Sequence, residues 1–134
     1  MDVSTNISLE NISLFDFGKS LIANLKLNRS SVPNENSSWH RLFYDLGDEE
    51  KGGKPRFLDN IWFNWDGSYP KSPELSEFFQ ALNVVHLARS RDGKKIILDK
   101  NTIVSWLNRF DSYSPELREY LDYFTKEAKT YLND

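Results

Sequence analysis

The chain has 134 residues, of which 39% are hydrophobic and 14% aromatic, so it is long enough to bury the core of one domain. It has no cysteine, which excludes disulfides and thiolate metal sites. Its formal net charge is −3, whereas a nonspecific nucleic-acid binder is usually basic overall, so nucleic-acid binding would depend on a local patch.

The first residues predict neither a signal peptide nor a membrane segment. Residues 1–12 are polar and rich in Asn and Ser, which is typical of a flexible N-terminus. They have no basic leader before a long apolar core, and no apolar run in the chain approaches the ~20 residues that span a bilayer. We therefore expect a cytoplasmic protein that makes no membrane contact, with one domain over residues 13–134.

The first two predicted helices begin at serine residues. Ser13 precedes a helix near 14–28, with Asp16 three positions later in a capping-box arrangement. Gly18 weakens a helix by roughly 1 kcal/mol relative to Ala, so its presence indicates close packing at that position. Ser37 or Ser38 starts a shorter helix near 38–47, whose apolar residues recur at helical spacing.

A strand and a third helix are predicted next. The apolar face of the strand, over 57–65, would carry Phe57, Ile61, Phe63 and Trp65. Trp62 would lie on the opposite face, and Asp59 would fall on the apolar face, which is unusual. After the Asp66-Gly67 turn, Ser72 and Pro73 start a helix that runs to about Leu82.

The remaining chain predicts a hairpin and two helices. Stretches 84–89 and 95–99 flank a turn signal at Asp92-Gly93, which is typical of a β-hairpin. A fourth helix follows Asp99 or Asn101, and a fifth starts at Ser114. The third and fifth helices both begin with Ser-Pro-Glu-Leu, which we interpret as a good helix start rather than a duplication.

These elements predict an α+β fold. About five helices would pack on a three-stranded antiparallel sheet formed by 57–65, 84–89 and 95–99. The expected core comprises Leu21, Leu25, Leu42, Phe43, Ile61, Phe63, Leu75, Phe79, Leu82, Ile97, Trp106, Leu107, Leu121 and Phe124.

This order of elements resembles a winged helix-turn-helix domain, as found in prokaryotic families. The resemblance covers about residues 38–99 and combines a Gly-x-Tyr-x-x-Ser turn with a Glu-Leu helix start. It is carried by Gly67, Tyr69, Ser72, Glu74, Leu75 and Leu82. The resemblance implies that the third helix is the recognition helix and that residues 89–95 are the wing.

No pattern of residues predicts an enzyme, a cofactor or a metal site. His40 and His86 lack the spacing of zinc or catalytic residues, so each is interpreted as a surface or hydrogen-bonded core histidine. The acidic cluster at 45–50 (Asp45, Asp48, Glu49 and Glu50) lacks the spacing of a calcium loop and is interpreted as solvated, with weak cation binding left open. No pair of nucleophile and base is visible.

The aromatic excess favours a non-enzymatic interaction protein, such as an antitoxin, immunity protein, inhibitor or adaptor. Exposed aromatic residues favour interface hot spots, and the outward side of the third helix is acidic, which suits a protein partner better than phosphates. The predicted protein-binding residues are Trp62, Trp65, Tyr69, Glu77 and Gln80. The sequence leaves the partner and the oligomeric state open.

The alternative function is that of a winged-helix nucleic-acid-binding regulator. Basic residues of the predicted hairpin could follow a phosphate backbone, or they could protect an exposed strand edge. The predicted nucleic-acid-binding residues are Arg89, Arg91, Lys94 and Lys95.

Overall fold

The computed structural model describes residues 7–28, 32–33, 36–49, 53–65, 67–85, 88–89, 95–97 and 99–132. Over these residues the chain forms five α-helices: α1 (Leu14–Asn28), α2 (Asn36–Asp48), α3 (Pro73–Val85), α4 (Lys100–Leu107) and α5 (Pro115–Leu132). Two 3₁₀ helices occupy Arg56–Asn60 and Asn108–Ser112. The five helices lie where the sequence predicts them, although α3 ends at Val85.

Strands are confined, in the part of the chain that the structure describes, to β1 (Val32–Pro33), β2 (Ala88–Arg89) and β3 (Lys95–Ile97). They pair antiparallel in the order β1-β3-β2. The predicted α+β fold is wrong, because strands of two or three residues do not build a sheet on which helices could pack. The fold is instead mainly helical.

The predicted strand over 57–65 is also wrong. The 3₁₀ helix Arg56–Asn60 replaces its first half, and the backbone becomes extended only at Ile61. The 3₁₀ turn buries Leu58 and leaves Asp59 exposed, whereas an alternating strand would have placed this carboxylate on the apolar face. The unusual position of Asp59 in the alternation was therefore a signal against a strand.

The loss of that strand removes the winged-helix architecture expected over 38–99. The strand before the third helix is absent, and the segments described around the expected wing pair over only two residues, Ala88 and Arg89. We therefore correct the winged-helix assignment together with the α+β class.

Among the described residues, four helices begin with a side-chain cap. Ser13, Ser72 and Ser114 each accept a hydrogen bond from the backbone N–H three residues later, at 3.1, 3.2 and 3.2 Å. Asp99 accepts from the Thr102 N–H at 2.7 Å. Each such cap contributes about 1 kcal/mol, and the two Ser-Pro-Glu-Leu starts use the same cap.

The core surrounds α1, which contacts α3, α4 and α5, while α2 contacts α5. The following predicted core residues are buried: Leu21, Leu25, Leu42, Phe43, Leu75, Phe79, Leu82, Trp106, Leu121 and Phe124. Three others, Ile61, Phe63 and Leu107, are only partly buried against this core, and the Ile97 side chain lies outside the described residues. The partial burial of Ile61 and Phe63 follows from the missing strand.

Gly18 allows α1 and α3 to approach closely. A Cβ atom on Gly18 would overlap the ring of Phe78, which is buried. The same ring makes edge contacts with Phe15 and Phe79, at centroid distances of 5.3 and 5.0 Å. The close packing predicted at Gly18 is confirmed.

Residues 7–12 lie against the start of α5, although the sequence assigns them to a flexible N-terminus. Ile7 donates its N–H to the Ser112 carbonyl at 3.0 Å, and its own carbonyl accepts the Ser114 N–H at 2.8 Å. Ile12 is buried. The folded part of the chain therefore includes these residues.

None of the helices in the described ranges combines the length and the apolar character needed to cross a membrane.

Candidate functional site

The candidate site is built on the extended segment that follows the first 3₁₀ helix. Asn64 and Lys71 form an antiparallel bridge, in which each backbone N–H donates to the carbonyl of the other at 2.8 and 2.9 Å. We call the intervening chain the 64–71 loop. Asp66 within this loop lies outside the described residues. The bridge closes the loop and brings its two ends together in front of α3.

His40 of α2 holds the end of this loop. The Ser72 N–H donates to Nδ1 of His40 at 2.9 Å, and His40 is only 1% exposed. The Ser72 hydroxyl meanwhile donates to Glu74 at 2.9 Å. Burial, with a smaller effect from the charge of Lys71, lowers the pKa of His40 to about 4. His40 is therefore a neutral, hydrogen-bonded core histidine, one of the two interpretations that the sequence allowed.

Two tryptophans project from the same extended segment. Trp62 is 60% exposed and Trp65 is 50% exposed. The Trp65 ring makes an edge contact with Tyr44 at a centroid distance of 5.3 Å, and the Arg41 guanidinium lies 5.4 Å from the Trp65 centroid. The backbone N–H of Trp62 donates to the Glu74 carboxylate at 3.4 Å. The two tryptophan rings thus expose a large apolar surface to solvent. Their segment is held in place by the contacts with Tyr44, Arg41 and Glu74.

Tyr69 separates two depressions on this surface. The first, which we call the aromatic groove, has a volume of about 450 Å³ and is lined by Trp62, Asn64, Gly67, Ser68, Tyr69, Lys71, Pro73 and Ser76. The second, which we call the arginine pocket, has a volume of about 360 Å³ and is lined by Ser37, Ser38, Arg41, Ser68, Tyr69 and Tyr131. Because both share Ser68 and Tyr69, the two depressions adjoin across the loop.

The structure brings together most of the predicted protein-binding residues. Trp62 and Tyr69 line one groove, and Trp65 lies beside Arg41. Glu77 and Gln80 are exposed on α3, on the helical face that also carries Pro73 and Ser76 of the groove. The exposure predicted for Trp62 is confirmed, although it does not arise from strand alternation. Trp65, expected on the buried face, is half exposed.

Three residues of this surface were missed from the sequence: Arg41, Lys71 and Tyr131. Arg41 and Tyr131 belong to α2 and α5, which are distant in sequence and come together only because these helices pack. No local pattern marks either residue. Lys71 had a weak signal, because it lies between Pro70 and the helix start at Ser72.

Two carboxylates of the acidic cluster at 45–50 accept hydrogen bonds from side chains of the protein itself. Tyr131 donates to Asp45 at 2.6 Å, and Tyr123 donates to both carboxylate oxygens of Glu49 at 2.8 and 2.9 Å. The Lys54 ammonium donates to the Glu49 carbonyl at 2.7 Å. Glu50 lies outside the described residues. Within the described ranges, no three His, Cys, Asp or Glu side chains are grouped so that they could hold a metal ion.

The predicted basic hairpin is described only in part. The backbones of Arg89 and Lys95 belong to β2 and β3, whereas Arg91, Lys94 and also His86 lie outside the described residues. The nucleic-acid-binding role of the hairpin therefore stays a prediction.

Comparison of the chain with family models, curated proteins and solved structures gives no significant match.

Proposed function

We propose that this protein is a non-enzymatic interaction protein, of the antitoxin, immunity, inhibitor or adaptor type. It binds a protein partner through one surface, formed by Trp62, Trp65, Tyr69, Glu77 and Gln80. The observation that supports the proposal is the exposure of two tryptophans, by 60% and 50%, on one short segment beside a groove of about 450 Å³. The sequence prediction of a cytoplasmic location is part of this proposal.

The energetic argument starts from the exposed rings. An aromatic side chain buries ~150–250 Å² in an interface. At ~25 cal/mol per Å², covering half of that area contributes roughly 2–3 kcal/mol for each tryptophan. Two such rings would therefore supply a substantial part of the free energy of binding, as hot-spot residues do.

Positioning of the surface before binding supports the same function. Trp65 is held between Tyr44 and Arg41, and the end of the loop is held by His40. A surface that is already ordered loses little conformational entropy when a partner binds. Because the loop is already ordered, a loss of conformational entropy does not offset the free energy gained from covering the tryptophans.

The test is affinity capture from an extract of the source cells, with and without nuclease. Wild type is compared with Trp62→Ser/Trp65→Ser and with the control Leu27→Ser, since Leu27 is 63% exposed on α1. We expect a protein that is captured by wild type and the control, survives nuclease, and is lost with the double variant. Equal capture by all three proteins would contradict the proposal, and loss of capture after nuclease treatment would favour the nucleic-acid alternative.

A further inference from the structure

The lining of the two depressions has a charge opposite to that of the whole chain. The formal net charge of the protein is −3. The described residues that line the aromatic groove include Lys71, those that line the arginine pocket include Arg41, and neither set contains Asp or Glu. The described lining residues on both sides of Tyr69 therefore offer two cations to an anionic group, while the exposed Glu74 and Glu77 of α3 lie outside that lining.

Arg41 is positioned mainly by an aromatic ring. Its guanidinium lies over Trp65, and its Nε is 3.9 Å from Asp45, whose carboxylate also accepts the 2.6 Å hydrogen bond from Tyr131. The Arg41 side chain is 47% exposed. A long, exposed ion pair of this kind contributes little stability. An incoming carboxylate can therefore form a better, bidentate pair with this guanidinium.

The remaining lining residues supply the other contacts that a peptide segment needs. Ser37, Ser38 and Tyr131 add hydroxyl groups around Arg41 in the arginine pocket. Trp62 and Tyr69 add aromatic faces in the groove, together with Pro73. Each depression has room for side chains of a bound segment, while Tyr69 lies between them.

Resting on the proposed function, we propose that the partner contributes an acidic peptide segment that crosses Tyr69. An Asp or Glu side chain pairs with Arg41 in the arginine pocket. An apolar side chain of the same segment covers Trp62 in the aromatic groove, where Lys71 adds a second positive charge. The partner is thus recognised by a carboxylate and an apolar side chain on either side of one tyrosine.

The probe is a displayed library of random dodecapeptides, selected on the full chain and counter-selected on Trp62→Ser/Tyr69→Ser. Selected peptides are synthesised, and their affinity is measured by fluorescence anisotropy at low and at about 0.5 M salt. Arg41→Gln and Lys71→Gln are compared with the controls Arg118→Gln and Lys126→Gln, because these cations are exposed on α5. Circular dichroism verifies that each variant is folded.

We expect selected peptides to combine an acidic and an apolar residue and to bind about tenfold more weakly to Arg41→Gln, as loss of a charge-assisted hydrogen bond predicts. Binding should also weaken with salt and be unchanged in both controls. Neutral or basic peptides that require Trp62 but ignore Arg41 and Lys71 would overturn this inference while the proposed function stands. Failure to select any Trp62-dependent peptide would overturn this inference, whereas the proposed function is decided by the affinity capture described above.

Discussion

His40 makes the stability of this protein depend on pH between about 6.5 and 4. Its pKa is lowered from 6.5 to about 4 because the ring is buried, with a smaller contribution from Lys71. Below pH 6.5 the unfolded chain takes up a proton at this ring and the folded chain does not. Stability therefore falls as the pH falls from about 6.5 to about 4, and this group adds no further change below that.

The magnitude follows from the same two pKa values. The full difference corresponds to about 3 kcal/mol, and between pH 7 and pH 5 the expected loss is about 2 kcal/mol. This is a large part of the ~5–15 kcal/mol that stabilises a typical domain. Protonation would also turn Nδ1 of His40 from an acceptor into a donor facing the Ser72 N–H, so the 64–71 loop should loosen together with the core.

The assay is urea denaturation of wild type and His40→Asn at pH 7 and pH 5, with unfolding monitored by circular dichroism. Asn places an oxygen near the position of Nδ1, so it keeps an acceptor for Ser72 but cannot be protonated. We expect wild type to lose about 2 kcal/mol more than His40→Asn between the two pH values.

Equal losses in wild type and His40→Asn would refute this reasoning. A second measurement does not depend on the variant being folded. In a histidine titration of wild type by NMR, one imidazole should stay neutral until close to pH 4. Two histidines that both titrate near 6.5 would lead to the same refutation.

Two further substitutions test the packing of the core, each by urea denaturation at pH 7. Gly18→Ala should destabilise the protein by about 1–2 kcal/mol, because overlap with Phe78 outweighs the roughly 1 kcal/mol gained in helix propensity. Tyr120→Phe should leave stability unchanged or raise it by up to about 1 kcal/mol, because no described group accepts or donates a hydrogen bond at this buried hydroxyl.

Each of these variants has a matched control. Phe78→Leu shortens the overlapping side chain, so adding Gly18→Ala to it should cost less than in wild type; equal costs would mean that Phe78 is not the obstacle. Tyr113→Phe removes a hydroxyl that is hydrogen-bonded to Ser20, so it should lose about 1 kcal/mol. A loss of that size in Tyr120→Phe would show that the Tyr120 hydroxyl has a partner.

The helices could be predicted because their starts depend on neighbouring residues. The hydroxyls of Ser13, Ser72 and Ser114 each accept a hydrogen bond from the backbone N–H three positions later, and this interaction does not depend on the rest of the fold. The stretch 57–65 could not be predicted in this way, because its apolar alternation fits a strand while its local hydrogen bonds form a 3₁₀ turn. A strand requires a pairing partner from elsewhere in the fold, and among the described residues no strand pairs with residues 57–60.

The candidate site likewise contains residues that could be predicted from local sequence and residues that depend on tertiary contacts. The exposed aromatic residues and the outward positions of α3 are close in sequence, and Trp62, Tyr69, Glu77 and Gln80 could be proposed from it. Arg41 could not, because its place beside Trp65 depends on how α2 packs against the extended segment. The role of His40 as the residue that holds Ser72 likewise depends on a contact between distant parts of the chain.

The packing of α1 against α5 has a consequence for synthesis. Phe17 of α1 contacts Phe124 of α5 at a centroid distance of 5.0 Å, and Ile7 pairs with the backbone around Tyr113. At ~5–20 residues per second, the ribosome needs roughly 4–17 s to make residues 29–114, which lie between these helices. During that time the part of α1 that packs on α5 is uncovered, so a nascent chain that ends before Pro115 should expose apolar surface that chaperones bind.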